Sequence, residues 1–198
     1  IYFIEGKNPS EINYCKYGIN DALLIDNSGA FTDKDSLSNH LESTGISKVL
    51  LTAPGKGIPN IVYGINSKEL DIENSKIVSA ASCTTNCIAP ILHVIESEYG
   101  ISSGHLETVH SYTNDQNLID NMHKKARRGR SAAINMVITT TGAGKAVTKV
   151  IPSLEGKLTA NAVRVPTPNV SLAILKLKLN KKTSVNDINN TMKKAALK

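Results

Sequence analysis

One stretch constrains this chain more than any other. The apolar run Lys76-Ile77-Val78-Ser79-Ala80-Ala81 passes without a linker into Ser82-Cys83-Thr84-Thr85-Asn86-Cys87, after which Ile88, Ile91, Leu92 and Ile95 recur at helical spacing. A buried strand therefore hands over directly to a helix, and Cys83 sits at the helix start. Unpaired N–H groups there, with the positive end of the dipole, favour a thiolate or any other anion. The thiolate is the nucleophilic form of cysteine. A small buried cysteine closing a strand is the plainer reading. The hydroxyls of Ser82, Thr84 and Thr85 weigh against it, because three of them around one sulfur suit oxyanions better than a dry core.

Upstream, strand-like runs alternate with a helix. Ile1 to Ile4 is a short apolar opening, and Ala22-Leu23-Leu24-Ile25-Asp26 reads as a buried strand that turns at Asn27-Ser28-Gly29. Thr32 and Asp35 form a capping box for a helix with Leu37, His40 and Leu41 inward, ending near Gly45. Lys48-Val49-Leu50-Leu51-Thr52, Ile61-Val62-Tyr63 and Ile77-Val78 read as further strands. Strands that are apolar on both faces and alternate with a helix predict a parallel sheet of the doubly wound kind.

Downstream the pattern changes. The helix after Cys83 reaches about Tyr99-Gly100, where glycine supplies a left-handed cap. Leu106-Glu107-Thr108-Val109-His110-Ser111 then alternates, with Leu106, Thr108 and His110 on one strand face. Residues 112–135 are polar and basic, and a loop of that length inside a compact domain has a function. Thr139-Thr140-Thr141-Gly142 opens a helix carrying Ala146, Val147 and Val150 and ended by Pro152; it is either a second anion nest or a simple N-cap. Val163-Arg164-Val165-Pro166 is strand into turn, and Ser171 to Asn180 alternates as a half-buried, antiparallel strand. Ser184 and Asp187 cap a last helix with Val185, Ile188, Met192 and Ala195 inward. The fold class is thus α/β: a partial Rossmann-type parallel sheet over residues 1–82, then an α+β domain with a mixed or antiparallel sheet over 83–198.

The chain has 198 residues, 40% of them apolar, enough for two modest domains with real cores. No run of about 18 apolar residues is present and the opening lacks a basic-then-apolar leader, so cytoplasm is the expected location. With three cysteines, and Cys83 and Cys87 four apart, neither a disulfide framework nor a CxxC pair is indicated, and no metal site is expected. Cys87 is assigned to core packing. The net charge of +6 is unevenly shared: residues 1–82 carry 7 Lys+Arg against 10 Asp+Glu, the remainder 16 against 7. The electropositive part suits phosphorylated metabolites or nucleic acid. Its densest run, His123-Lys124-Lys125-Ala126-Arg127-Arg128-Gly129-Arg130, has no interleaved aromatics to stack bases, so a solvated loop face or a phosphate site is preferred over a nucleic-acid-binding module.

Five ordered blocks resemble the phosphorylating glyceraldehyde-3-phosphate dehydrogenase family: Ala81-Ser82-Cys83-Thr84-Thr85-Asn86-Cys87, His110-Ser111-Tyr112-Thr113-Asn114-Asp115-Gln116, Arg127-Arg128-Gly129-Arg130, Thr141-Gly142-Ala143-Gly144-Lys145-Ala146-Val147, and Val163-Arg164-Val165-Pro166-Thr167-Pro168-Asn169-Val170. The likeness runs through the whole chain. It implies oxidation and phosphorylation of glyceraldehyde 3-phosphate in glycolysis or gluconeogenesis, with NAD or NADP as hydride acceptor. Cys83 would be the nucleophile and His110 the base. Ser82, Thr84, Thr141, Gly142 and Arg130 would bind the attacking inorganic phosphate, while Thr113 and Arg164 would grip the phosphate of the aldehyde. Ser28, Gly29, Thr52 and Asn114 would line the cofactor. The long basic loop would be the family's S-shaped loop, which serves a neighbouring subunit's cofactor site in a homotetramer.

Two departures bear on this. Asp115 stands where some members have threonine, and a carboxylate repels phosphate, so Asp115 is left out of the phosphate site. Asp120-Asn121-Met122 lacks the Leu-Pro pair of many NAD-specific members, which leaves NAD and NADP both open. The GxGxxG unit that opens a dinucleotide fold is absent, so by resemblance the chain is a fragment lacking both ends. Erythrose-4-phosphate dehydrogenase, which shares the Cys/His chemistry but releases its acid to water, is the nearest rival.

Overall fold

The computed structural model describes residues 1–71 and 73–197. The chain divides into two compact units, Ile1–Ala89 and Pro90–Lys198. In the first, β1 (Ala22–Asp26), β2 (Ile46–Leu51) and β3 (Ile77–Ser79) pair in parallel in that order. Consecutive parallel strands need a crossover, and α1 (Lys34–Ser38) lies on the first one. Leu24, Val49, Leu51 and Ile77 point to one face, where Leu37 of α1 is fully buried and Phe31, Leu41 and Ile58 close the edges. Each such leucine contributes about 2 kcal/mol of apolar burial.

Four expectations are corrected here. The capping box lies one residue further on than Thr32 and Asp35: Asp33 accepts the Ser36 amide at 2.9 Å, a carboxylate being the better cap. The helix stops at Ser38 and continues as i→i−3 turns, which still turn Leu37 and His40 inward. Ile61-Val62-Tyr63 is no strand. Asn66 accepts the Val62 amide at 2.9 Å and donates to the Asn60 carbonyl at 2.9 Å, giving the backbone side-chain partners in place of a neighbouring strand. Among the described residues the link to β3 is a single bridge, Asn60 to Ser79, closed by the Ile61 amide on the Ser79 carbonyl at 2.7 Å. Finally, Leu23 and Ile25 of β1 are 54% and 56% exposed, so their face of this strand is open rather than covered.

Helix α2 (Cys83–Tyr99) buries Ile88, Leu92 and Ile95 as expected, but leaves Ile91 41% exposed. Gly100, at φ +67°, ends it in the left-handed region and lets β4 (Ile101–Ser111) begin at once. In the second unit β4 lies between a parallel neighbour, β6 (Leu158–Val165), and an antiparallel one, β7 (Leu172–Leu179). β5 (Val137–Thr139) adds antiparallel to β6, giving the mixed order β5-β6-β4-β7. Leu106, Thr108 and His110 share the buried face of β4. Helix α3 (Ala143–Val150) packs on β6. Helix α4 (Val185–Ala195) has the expected Ser184–Asp187 capping box and is joined to α2 by a Tyr99–Thr191 hydroxyl pair at 2.8 Å. Ile188, Met192 and Ala195 are half-buried, whereas Val185 is exposed. Among the described residues no helix is long and apolar enough to cross a membrane.

Glu96 closes the α2–β4 junction. One carboxylate oxygen accepts the Ile101 amide at 2.5 Å, and the other pairs with Lys157 at 2.9 Å. Burial pushes its carboxyl up, and Lys157, the Ile101 amide and Ser153 outweigh that, leaving it below the usual range. A carboxyl lowered by folding stabilises the fold above its unfolded value, about 4.3, and that contribution is lost as pH falls through the lower folded value. Glu96→Gln is expected to lose roughly 1 kcal/mol at neutral pH and to flatten the acid limb of a pH–stability curve from chemical denaturation. An unchanged acid limb would contradict this.

Candidate active site

The side chains singled out by sequence fall into separate groups in the two units. The first is the start of α2. Ala81, a non-glycine at φ +57°, makes the sharp turn out of β3, a conformation that costs about 1–2 kcal/mol. Side-chain bonds hold it: the Ala81 amide donates to Ser79 Oγ at 3.0 Å, and Asn86 Nδ2 donates to the Ala80 and Ser82 carbonyls at 2.8 and 2.9 Å. Ser82 is the cap, its Oγ accepting the Thr85 amide at 3.0 Å and pairing with Thr85 Oγ1 at 2.7 Å. Cys83 follows in the first turn, exposed, with Thr84 Oγ1 at 4.0 Å from its sulfur. Cys87 is also exposed, so its assignment to core packing is wrong; at i+4 it shares Cys83's side of the helix rather than the Ile88–Leu92 side.

In the same unit, Ser28, Gly29 and Thr52 come together at the carboxyl ends of β1 and β2. Thr52 donates to the Asp26 carbonyl from both its amide (3.0 Å) and its hydroxyl (3.2 Å). The Ser28 amide and hydroxyl donate to Asp26 Oδ1 at 2.8 and 2.7 Å. Gly29, at φ +76°, has open space on its Cβ side. Small, hydroxyl-bearing ends of a parallel sheet with room before them fit a dinucleotide, since ligands of such sheets bind outside the carboxyl ends of the strands. Asp26 is buried against His40, whose Nε2 lies 2.9 Å from Oδ2. Burial pushes the Asp26 carboxyl up, and Ser28 and then His40 outweigh it, so it stays below the usual carboxylate range.

The second cluster lies at the end of β4. His110 is buried, and its Nδ1 donates to the Ser111 carbonyl at 2.7 Å. That bond fixes the neutral tautomer with Nε2 as the basic nitrogen. Arg164, its neighbour in register on β6, donates from Nη1 to the same carbonyl at 3.0 Å and to Thr113 Oγ1 at 2.9 Å. Nδ1 and Nη1 stand 3.2 Å apart because both are donors meeting at one oxygen. The expected Arg164–Thr113 pair is therefore assembled. Asn114 lies exposed in the adjoining turn.

Asp115, left out on grounds of charge, belongs to this cluster. It accepts the Thr113 hydroxyl at 2.5 Å, forms a short ion pair with Arg128, and stands 3.9 Å from Arg164. Two guanidiniums straddle one carboxylate, and the group keeps a net positive charge. Arg128, read only as part of a basic run, is buried; Nε donates to Thr139 Oγ1 at 3.2 Å and Nη2 to the Thr140 carbonyl at 3.2 Å. Burial and the Arg164 charge both lower its pKa. Nothing in the spacing Arg127-Arg128-Gly129-Arg130 says which arginine turns inward. Arg130 is instead exposed and paired with Asp120 at 3.2 Å, where the Ser131 amide and then Arg130 hold the Asp120 carboxyl low. Arg127 and Arg130 line an open cleft of about 490 Å³ with Met136, Val137 and Ile138. Gly142 is the N-cap of α3, and Thr141 just before it accepts the Ala143 amide on Oγ1 at 3.1 Å. Among the described residues no cluster could hold a metal ion.

Residues 82–198 match the family model for the C-terminal domain of glyceraldehyde 3-phosphate dehydrogenase. The chain is 56% identical over 198 residues to a glyceraldehyde-3-phosphate dehydrogenase-like protein of Pseudomonas aeruginosa (strain UCBPP-PA14), covering 100% of this chain and 43% of that one. It is 45% identical over 197 residues to the chloroplastic glyceraldehyde-3-phosphate dehydrogenase A of Zea mays (99% and 48% covered) and 43% identical over 197 to glyceraldehyde-3-phosphate dehydrogenase 2 of Bacillus subtilis (99% and 57%). The chain spans about half the length of the curated relatives it matches. By its sequence and by the strand, helix and site elements above, the chain belongs to the glyceraldehyde-3-phosphate dehydrogenase family.

Proposed function

We propose that the protein of which this chain is part oxidises and phosphorylates glyceraldehyde 3-phosphate with NAD or NADP. The observation that carries the reading is the convergence of His110 and Arg164 on the Ser111 carbonyl: a histidine with its basic nitrogen defined, beside a guanidinium that also holds Thr113. In this proposal the Cys83 thiol gives its proton to Nε2 of His110 and its sulfur adds to the aldehyde carbon; the C–S bond forms as the C=O π bond opens, and the proton passes on to the new oxyanion, giving a hydroxyl. The nicotinamide, when bound, supplies the hydride acceptor. Nε2 of His110 takes the adduct's hydroxyl proton as the thioester forms. A phosphate oxygen then attacks the acyl carbon, the C–S bond breaks, and the thiolate leaves. Ser82, Thr84, Thr141, Gly142 and Arg130 are assigned to that phosphate. Thr141 accepts a helix-start amide through its hydroxyl oxygen, which leaves its hydroxyl hydrogen as a donor, while the Ser82 hydroxyl also pairs with Thr85. Arg164, Thr113 and the buried Arg128 are assigned to the aldehyde's own phosphate, with Asp115 keeping the two guanidiniums together. Ser28, Gly29, Thr52 and Asn114 are assigned to the cofactor.

The proposed assembly is a homotetramer. Ile138, Val163, Val109 and Leu172 form one row in register across all four strands of the second sheet, with Ile138 and Leu172 61% and 60% exposed, and such a face favours self-association. A nucleic-acid role is disfavoured because the basic run over residues 123–130 carries no aromatic side chain to stack bases. Three exposed cysteines suit a reducing compartment such as the cytoplasm. The test is turnover by the intact polypeptide, followed by reduced-nicotinamide absorbance, with and without inorganic phosphate. Dependence on phosphate, with acyl phosphate formed, is expected. Full turnover without phosphate, releasing the free acid, would overturn the phosphorylating reading in favour of hydrolytic release.

A further inference from the structure

The hydrogen-bonded pair of Asp26 and His40 takes part in none of the chemistry above. Both residues are buried, at 4% and 8% exposure, in a small sheet that could have filled the space with apolar side chains. Their geometry is directional. Asp26 spends Oδ1 on the Ser28 amide and hydroxyl and Oδ2 on His40, while its carbonyl receives Thr52. Ser28 Oγ in turn accepts the Ala30 amide at 3.2 Å, closing the turn over Gly29. A carboxylate only accepts, so His40 donates from Nε2. Its Nδ1 is buried with no hydrogen-bond partner among the described residues, and the Phe31 ring meets the imidazole edge-on at 5.2 Å. Both Asp26 oxygens are thus engaged inside the fold, and the one hydrogen bond His40 makes goes to Asp26.

We infer that His40 is a positioning residue for the dinucleotide: by holding Asp26 Oδ2 from the turn after α1, it fixes the Ser28–Gly29 turn and the Thr52 strand end in a binding-ready form. The inference rests on the cofactor reading proposed above. Without His40 the carboxylate can rotate toward solvent, and the turn, with its left-handed glycine, pays the ordering cost on binding.

The test is calorimetric titration of NAD and NADP into the intact polypeptide, with a thermal melt of each variant. His40→Leu keeps apolar bulk and removes the donor; His40→Gln can restore an N–H near the Nε2 position; Thr52→Trp blocks the strand ends at an exposed position. Expected are a Kd raised about tenfold by His40→Leu, a Kd within about twofold of the parent for His40→Gln at a similarly lowered melting temperature, and loss of binding in Thr52→Trp. Binding unchanged in His40→Leu but lost in Thr52→Trp would overturn the inference alone. Binding unchanged in Thr52→Trp, or absent in the parent, would overturn the cofactor reading and the inference with it. Should His40→Leu not fold, Asp26→Asn decides: unchanged affinity there overturns the positioning role.

Discussion

Cys83→Ser is expected to lower aldehyde oxidation by the intact polypeptide roughly 10⁴-fold, because a serine hydroxyl is a weak nucleophile without a dedicated base and an acyl-serine is a poorer acyl donor than a thioester. The same change should abolish the stable acyl adduct that a reactive ester leaves on the parent, read as a mass shift on the peptide carrying residue 83. The chain contains its own controls. Cys15 and Cys87 are as solvent-accessible as Cys83 in kind, all three being exposed, so access alone does not select among them. What sets Cys83 apart is its place in the first turn of a 17-residue helix, behind a cap built by Ser82 and Asn86. Equal labelling of the three thiols, or a Cys83→Ser variant that still turns over, would remove Cys83 from the chemistry.

Arg164→Ala should separate substrates rather than silence the enzyme. Loss of a charged fork that meets phosphate oxygens should cost roughly 2–4 kcal/mol of transition-state binding, a fall of about 30- to 10³-fold in kcat/KM for the phosphorylated aldehyde. Unphosphorylated glyceraldehyde lacks that contact and should change far less. Arg164 also supports the Ser111 carbonyl and Thr113, so part of the loss will be common to both substrates. Arg164→Lys isolates the remainder, because a lysine keeps the charge but cannot span both oxygens. Equal losses on both aldehydes in the two variants would make Arg164 a scaffold for β4 and nothing more.

What the sequence disclosed was what period and capping chemistry control. The β3–α2 handover, the buried Leu106–Thr108–His110 face, Gly100 and the Ser184–Asp187 box all follow from spacing within a few residues of each other. Failures cluster where a side chain competes with the backbone, as Asn66 does at Val62, or where two equivalent caps lie side by side, as Thr32 and Asp33 do. The loop after β4 was hardest to read. Charge repulsion argued against Asp115, yet Arg128 arrives from 13 positions further along the chain to neutralise it. No local pattern encodes a partner that far away. The pairing of His40 with Asp26, 14 positions apart, was hidden for the same reason.

The place of β4 in its sheet has a consequence for how the protein is made. Leu106 and its neighbours emerge from the ribosome well before either strand that covers their edges; His105 meets Thr159 on β6 54 residues later, and β7 is later still. At about 5–20 residues per second, the central strand stays unpaired on both edges for roughly 3–10 s of synthesis. Pairings this distant in sequence also make for slow closure after release. The interval in which this chain is most open to aggregation is therefore set by its topology, and strengthening the finished core would not shorten it.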